Sequence, residues 1–158
     1  MSSTTEQYLS RTTAETFENL ALIFADQELT PEQAGSPLDV TVSVEFRGPQ
    51  TGRLVLKASA RVLPSIAANM LGGDPSRSAA LQRDALGELA NVICGNVLPM
   101  VAGAGAVFRL SAPRVHDVEL PSSRDGDAPD ARTVLGVEDG RVEASLFFFA
   151  DRARSSAA

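Results

Sequence analysis

The alternation of apolar and polar residues from Val40 to Phe46 constrains the fold of this chain more than any other feature. A period of two describes a strand that buries one of its faces. A five-residue turn at 48–52, rich in glycine and proline, leads into a second apolar strand at 54–56. The two strands predict an antiparallel hairpin.

A second hairpin is predicted near the end of the chain. Its arms are residues 133–138 and 141–150, and they flank Asp139-Gly140, a dipeptide typical of a type I′ turn. Phe147 to Phe149 are apolar at consecutive positions, so both faces of this arm should be covered. We expect it to be a central strand or to lie at a subunit contact.

Helical periods account for most of the remaining apolar residues. Pro99 is expected to kink the longest helix or to end it a turn early. The predicted elements are helices at 5–25, 61–71 and about 78–101, and a strand at 106–111 closed by Pro113. Their order indicates an α+β fold with a mainly antiparallel sheet of two hairpins plus a strand, packed against the long helix and two shorter helices.

The length of 158 residues predicts a single domain over residues 1–158, because a chain of this size buries enough surface to fold without a metal or disulfide. Three segments are expected to be flexible: the N-terminus 1–5, a polar loop at about 121–131 and the C-terminal tail 152–158.

Charge and composition exclude several kinds of partner. The chain carries 14 Lys and Arg against 20 Asp and Glu, a net charge of −6. Lys57 is its only lysine, and its arginines are scattered from Arg11 to Arg154 without forming a basic stripe, so we expect no nucleic-acid binding. No apolar run reaches the 18 or so residues of a membrane span, and the N-terminus does not resemble a signal peptide. We expect no membrane partner and a cytoplasmic location.

The chain has one cysteine, Cys94, and one histidine, His116. These numbers exclude a disulfide framework and a Cys/His zinc cluster, so no metal site is expected. Cys94 is interpreted as a small core residue and His116 as a surface or capping residue without an evident partner. Gly72-Gly73 is interpreted as a helix cap and not as a phosphate loop.

The long helix carries a polar stripe. With Asp84 at 0° on a helical wheel, Gly95 lies at about 20°, Glu88 at about 40° and Asn91 at about 340°. The opposite side is apolar and should face the sheet; it consists of Leu86, Leu89, Ala90, Ile93 and Val97. From the wheel alone, the stripe is either an ordinary solvated helix face or a site that presents two carboxylates and a carboxamide.

The string from Asp84 to Asn91, continued by residues 92–96, resembles the signature of the CheC/CheX/FliY family of chemotaxis phosphatases. In that signature an acidic or serine residue is followed after three spacers by glutamate, after two more by asparagine, and about 22 residues later by proline, which here is Pro113. Residues 69–72, before the motif helix, extend the resemblance to most of the chain.

The resemblance implies dephosphorylation of a phosphorylated CheY-type response regulator. Asn91 would orient the attacking water, and Glu88 would pair with a lysine of the regulator. Asp84 would contribute to docking at the rim, while Gly95 would keep the stripe accessible. The regulator supplies its own magnesium and lysine, so this chain needs no cofactor of its own.

Some family members carry a second motif on the first helix. Aligning Glu15 with Glu88 places Glu18 where Asn91 stands, and Asn19 is displaced by one residue, so one site per chain is expected. A single motif resembles the CheX-type member, which implies a homodimer with Phe147 to Phe149 as interface material. Two other functions stay open: a non-catalytic module that docks a regulator or another signalling protein, and a purely structural dimer module.

Overall fold

The computed structural model describes residues 3–72, 78–116 and 128–149. It confirms the α+β fold, with one antiparallel sheet packed against a long helix and shorter helices. The elements are α1 (Thr4–Leu20), β1 (Ala25–Asp26), α2 (Pro31–Ala34), β2 (Val40–Arg47), β3 (Gly52–Ala58), a 3-10 turn (Ala60–Val62), α3 (Leu63–Leu71), α4 (Ala79–Ala102), β4 (Arg109–Leu110), β5 (Arg114–His116), β6 (Ala131–Val137) and β7 (Gly140–Phe148).

Two of the three segments expected to be flexible fall mainly outside the described residues. Most of the 121–131 loop and all of the 152–158 tail lie there, and residue 131 already belongs to β6. The N-terminal boundary differs from the expectation, because α1 begins at Thr4. The Ser3 side chain accepts a hydrogen bond from the backbone N–H of Glu6 at 3.0 Å, which caps the helix.

The sheet joins the strands in the order β1-β6-β7-β3-β2-β4, and β5 also pairs with β2. The β2–β3 and β6–β7 hairpins confirm both predicted hairpins. The β7 strand pairs with β3 as well as β6. The strand that carries Phe147 and Phe148 is therefore central, which was one of its two expected positions; the other was a subunit contact.

The turn of the second hairpin differs from the predicted one. Gly140 pairs with Val137, so the two loop residues are Glu138 and Asp139. Of these, only Glu138 has a positive φ, at 49°, whereas a type I′ turn needs a positive φ at both. Gly140 is required for a close approach instead: a Cβ built there would lie 2.8 Å from Cβ of Ser59.

The first helix is shorter than predicted. It ends at Leu20, and Leu22 then takes a φ of 57°, which reverses the chain direction. Ala25 pairs with Val137 and adds β1 to the edge of the sheet. Phe24, an apolar residue within the predicted helix 5–25, is 68% exposed. Pairing at the sheet edge therefore outweighs the helical spacing in this segment.

The long helix α4 forms the centre of the core. Its predicted apolar side is fully buried against the sheet, α1 and α3. Helix formation continues through Pro99 to Ala102, so the expected early end is wrong. Among the described helices, α4 is the one whose length and composition would allow it to span a membrane. Half of its apolar 18-residue stretch is buried within the fold. The predicted end of the preceding helix is confirmed, since Gly72 follows α3 with a φ of 73°.

The strand predicted at 106–111 is reduced to the two residues of β4. A further strand, β5, follows Pro113 and pairs with β2. In this pairing His116 lies directly opposite Thr41. The sequence did not predict β5. Its three residues carry too short an alternation to separate a strand from a loop.

The sheet face opposite α1 and α4 collects basic residues. Strand alternation places seven of the chain's 14 lysine and arginine residues there, together with Glu45 and Glu143. We call this surface the basic face; its cations are Arg47, Arg53, Lys57, Arg109, Arg114, Arg132 and Arg141. The expectation that the scattered arginines form no basic stripe is therefore wrong for this face, because residues far apart in sequence meet across strands.

Candidate functional site

The polar stripe of α4 lies on the surface of the fold. Asp84, Glu88 and Gly95 are exposed, and Asn91 is half-buried beside them. Neither Asp84 nor Glu88 forms an ion pair with any residue in the described part of the chain. Both carboxylates are therefore available to a partner.

Asn91 carries an unusual feature for a residue of a core helix. Its carboxamide oxygen Oδ1 is buried and has no hydrogen-bond partner among the described residues. Leaving a buried carbonyl unpaired costs about 1–3 kcal/mol. An asparagine with a structural role would have its oxygen satisfied, so this carboxamide is not committed to holding the fold together.

Pro113 is the second part of the signature, and the structure brings it to the stripe. The segment between β4 and β5 passes over α4 at Gly87, where an added Cβ would lie 3.0 Å from Cβ of Pro113. Gly87 is one turn before Asn91 and next to Glu88. A glycine in the interior of α4 thus has a packing reason, because a side chain at this position would collide with Pro113.

Gly95 continues the stripe one turn after Asn91. A Cβ built on it would lie 3.7 Å from Cδ1 of Leu110, an ordinary van der Waals separation. The fold therefore has room for a larger residue at this position. Because Gly95 has no side chain, the backbone of α4 beside Asn91 is open to close approach by a partner.

Apolar residues border the stripe. Leu81, one turn before Asp84 and Ala85, is 39% exposed at the beginning of α4, and Val115 is 40% exposed on β5. Pro113, which approaches α4 at Gly87, is exposed as well. Exposed apolar groups around a few unpaired charges are typical of a protein docking surface.

Cys94 is buried, and burial raises the pKa of its thiol to about 12. The residue packs in the core, as predicted, and a thiol with this pKa is not a nucleophile at neutral pH. In the described ranges 3–72, 78–116 and 128–149, no three His, Cys, Asp or Glu side chains are grouped to hold a metal ion.

His116 has the partner that the sequence did not reveal. Its Nε2 lies 2.7 Å from Oγ of Ser43 on the neighbouring strand. Burial, followed by the positive charges of Arg114 and Arg53, lowers the pKa of His116. The pair belongs to the basic face and is separate from the stripe on α4.

The chain matches the family model described as chemotaxis phosphatase CheX over residues 40–129. The structure of CheX from Vibrio vulnificus superposes with a TM-score of 0.69 at 17% identity, covering 93% of this chain and 97% of that one. CheX from Desulfovibrio desulfuricans gives 0.68 at 16% identity, covering 92% and 99%. The chain in the CheX–CheY–BeF3–Mg2+ complex from Borrelia burgdorferi gives 0.62 at 13% identity, covering 91% and 97%. At these identities the superpositions show a shared fold. No curated protein sequence matches the chain.

Proposed function

This chain belongs to the CheX family of chemotaxis phosphatases, and from that premise we propose that it hydrolyses the aspartyl phosphate of a CheY-type response regulator. The family match confirms the resemblance on which the motif was first interpreted. The relative from Borrelia burgdorferi forms a complex with CheY, which supports a partner of that type for this chain.

The observation that carries the proposal is the uncommitted carboxamide of Asn91. A water that attacks phosphorus needs a group that accepts one of its hydrogens and fixes its direction without competing as a nucleophile. The Oδ1 of Asn91 is buried and unpaired, and it becomes such an acceptor once the side chain rotates outwards. Docking of the regulator would turn this side chain towards the phosphoryl group, because no hydrogen bond from a described residue holds Oδ1 in place.

The two carboxylates serve docking. Glu88 lies one turn from Asn91, is exposed and has no ion-pair partner within the described residues. We assign it to the lysine of the regulator's active site, which would set the distance between Asn91 and the phosphorus. Asp84, one turn further out, contributes at the rim, and Gly95 leaves room for the regulator's backbone.

The reaction then follows the ordinary course of phosphoryl transfer. Water attacks the phosphorus in line with the acyl-phosphate bond, which breaks to release the regulator's aspartate as a carboxylate. The magnesium ion expected in the regulator neutralises the phosphoryl oxygens. This chain adds position and one hydrogen-bond acceptor, and no cofactor of its own is proposed.

We further propose one site per chain, a cytoplasmic location and a homodimer. On α1, Glu15 is engaged by Arg11 at 3.2 Å, and a glutamate, Glu18, occupies the position of the required asparagine. Phe149 is 41% exposed at the end of β7, which supports this segment as interface material.

The experiment compares the decay of a phosphorylated CheY-type regulator with and without this protein, with phosphate release as the readout. Faster release at catalytic amounts of the protein is expected. Binding of the phosphorylated regulator without faster release would favour the non-catalytic docking module. The absence of both binding and release would favour the structural dimer module.

A further inference from the structure

The basic face contains a trough that crosses five strands. Its floor consists of Ser43, Val55 and Ser145, which are direct neighbours on β2, β3 and β7 and are 3%, 6% and 6% exposed. Arg114 on β5 stands at one end and Arg132 on β6 at the other. Small residues in the middle and long cations at both ends make a shallow channel across the sheet.

Most cations of the basic face have no acidic partner. Five of them form no ion pair with any residue in the described ranges: Arg47, Lys57, Arg109, Arg114 and Arg141. Arg47 also lies directly opposite Arg109 in the β2–β4 pairing, an arrangement of like charges that destabilises a sheet. The fold thus keeps an excess of positive charge here that its own contacts do not neutralise.

The local field is positive at the β5 end of this surface. His116, hydrogen-bonded to Ser43 at the edge of the trough, has its pKa lowered by burial and by two arginines, Arg114 and Arg53. The hydroxyl group of Ser43 is bonded to His116, and that of Ser145 donates to Oε1 of Glu143 at 3.4 Å, so the arginines are the groups that this surface offers to a ligand. Arginine guanidinium groups bind carboxylates with two parallel hydrogen bonds.

We propose that the trough binds an extended acidic segment of a partner protein. Arg114 and Arg132 are four strand spacings apart, about 19 Å at roughly 4.8 Å per strand. An extended chain covers that distance in about six residues. The segment would therefore carry acidic side chains about six residues apart, with small or polar residues between them.

The shape of the trough favours a polypeptide over other polyanions. The floor residues Ser43, Val55 and Ser145 are not aromatic, and the rings beside them, Phe147 and His116, are both partly buried, which leaves little ring surface for stacking of a nucleic-acid base. The channel is one row of side chains wide, which suits a single extended chain better than the flat surface of a bilayer. It also lies on the side of the sheet opposite α4, so this partner and the regulator would not compete.

The probe is a labelled peptide with two glutamates at each end and four Ser and Gly residues between them, measured by fluorescence anisotropy at low salt. The control peptide has the same composition with the four glutamates contiguous. Arg114→Gln and Arg132→Gln are each expected to weaken binding of the spaced peptide about tenfold. Arg61→Gln, an exposed arginine outside the basic face, is the matched control and should bind as the unmodified protein does.

Tighter binding of the spaced peptide, lost in Arg114→Gln, would support the proposal. Arg132 pairs with Glu143 at 2.8 Å, whereas Arg114 has no ion-pair partner within residues 3–72, 78–116 and 128–149. Arg114→Gln therefore keeps the test valid if Arg132→Gln unfolds. Equal binding of both peptides, or no binding, would overturn it. Preferred binding of an oligothymidylate or of phosphatidylglycerol vesicles would assign the face to those polyanions instead. If the protein self-associates and Arg114→Gln abolishes this association, the basic face binds a second copy of the chain instead.

Discussion

Replacing Asn91 by alanine separates the catalytic role of this residue from any structural one. We expect Asn91→Ala to fold at least as stably as the unmodified protein and to lose its effect on the phosphorylated regulator. Few substitutions in a core helix have this combination, because most half-buried polar side chains help to hold the fold.

The stability estimate has three contributions. Alanine is a better helix former than asparagine by about 0.6 kcal/mol. Removing the unpaired buried carbonyl Oδ1 relieves about 1–3 kcal/mol. Loss of the van der Waals and apolar contacts of a half-buried side chain costs about 1 kcal/mol. The free energy of unfolding should therefore rise by about 1–2 kcal/mol, which corresponds to a higher Tm by about 2–8 °C for a domain of this size.

The activity estimate follows from positioning. Without the acceptor that directs the water, dephosphorylation should slow by about 10²-fold, whereas binding of the regulator through Glu88 should persist. Phosphate release under single-turnover conditions measures the first quantity, and titration with the phosphorylated regulator measures the second.

Asn96→Ala is the matched control, because Asn96 is an exposed asparagine on the same helix about a third of a turn from the stripe. It should keep full activity. Release by Asn91→Ala within about threefold of the unmodified rate would refute the role of the carboxamide. A loss of stability above about 1 kcal/mol would refute the argument from the unpaired oxygen.

Four further outcomes test the site and its surroundings. Glu88→Gln should raise the regulator concentration needed for half-maximal release more than it lowers the maximal rate, as steady-state kinetics would show. Gly95→Ala should raise the unfolding free energy by about 1 kcal/mol, since its Cβ meets Cδ1 of Leu110 at 3.7 Å, yet weaken regulator binding in a titration. Because the pKa of His116 is lowered in the folded protein, the unfolded chain binds more protons; thermal stability should fall as the pH drops through about 6.5, and less so in His116→Gln. With a pKa of about 12, Cys94 should resist a thiol reagent at pH 8 until urea unfolds the protein.

The sequence predicted those parts of the fold that depend on local periodicity. Alternation from Val40 to Phe46 identified β2, and the helical wheel correctly separated the buried side of α4 from the stripe with Asp84, Glu88 and Asn91. Both are properties of a single segment, so a period of two or 3.6 is enough to find them.

Features that depend on contacts between segments were not predictable in the same way. The pairing of Ala25 with Val137 determines where α1 ends. The close approach of Gly140 to Ser59 determines the turn at Glu138. Likewise, Gly87 could be recognised as an unusual helix residue, but its partner Pro113 could not. Each of these outcomes rests on a residue more than 20 positions away in the sequence.

The net charge of the whole chain does not reveal how the charges are distributed over its surfaces. The value of −6 suggested a protein without a basic surface, yet Lys57 and six arginines lie on one sheet face because alternate residues of neighbouring strands point the same way. The carboxylates of Asp84 and Glu88 lie on α4, across the sheet. A Debye length of about 8 Å at physiological ionic strength is shorter than the roughly 10 Å between packed layers, so each surface presents its own charge to a partner. An acidic segment on the basic face and a lysine-bearing regulator on α4 would then bind at the same time, each attracted by a local charge of opposite sign.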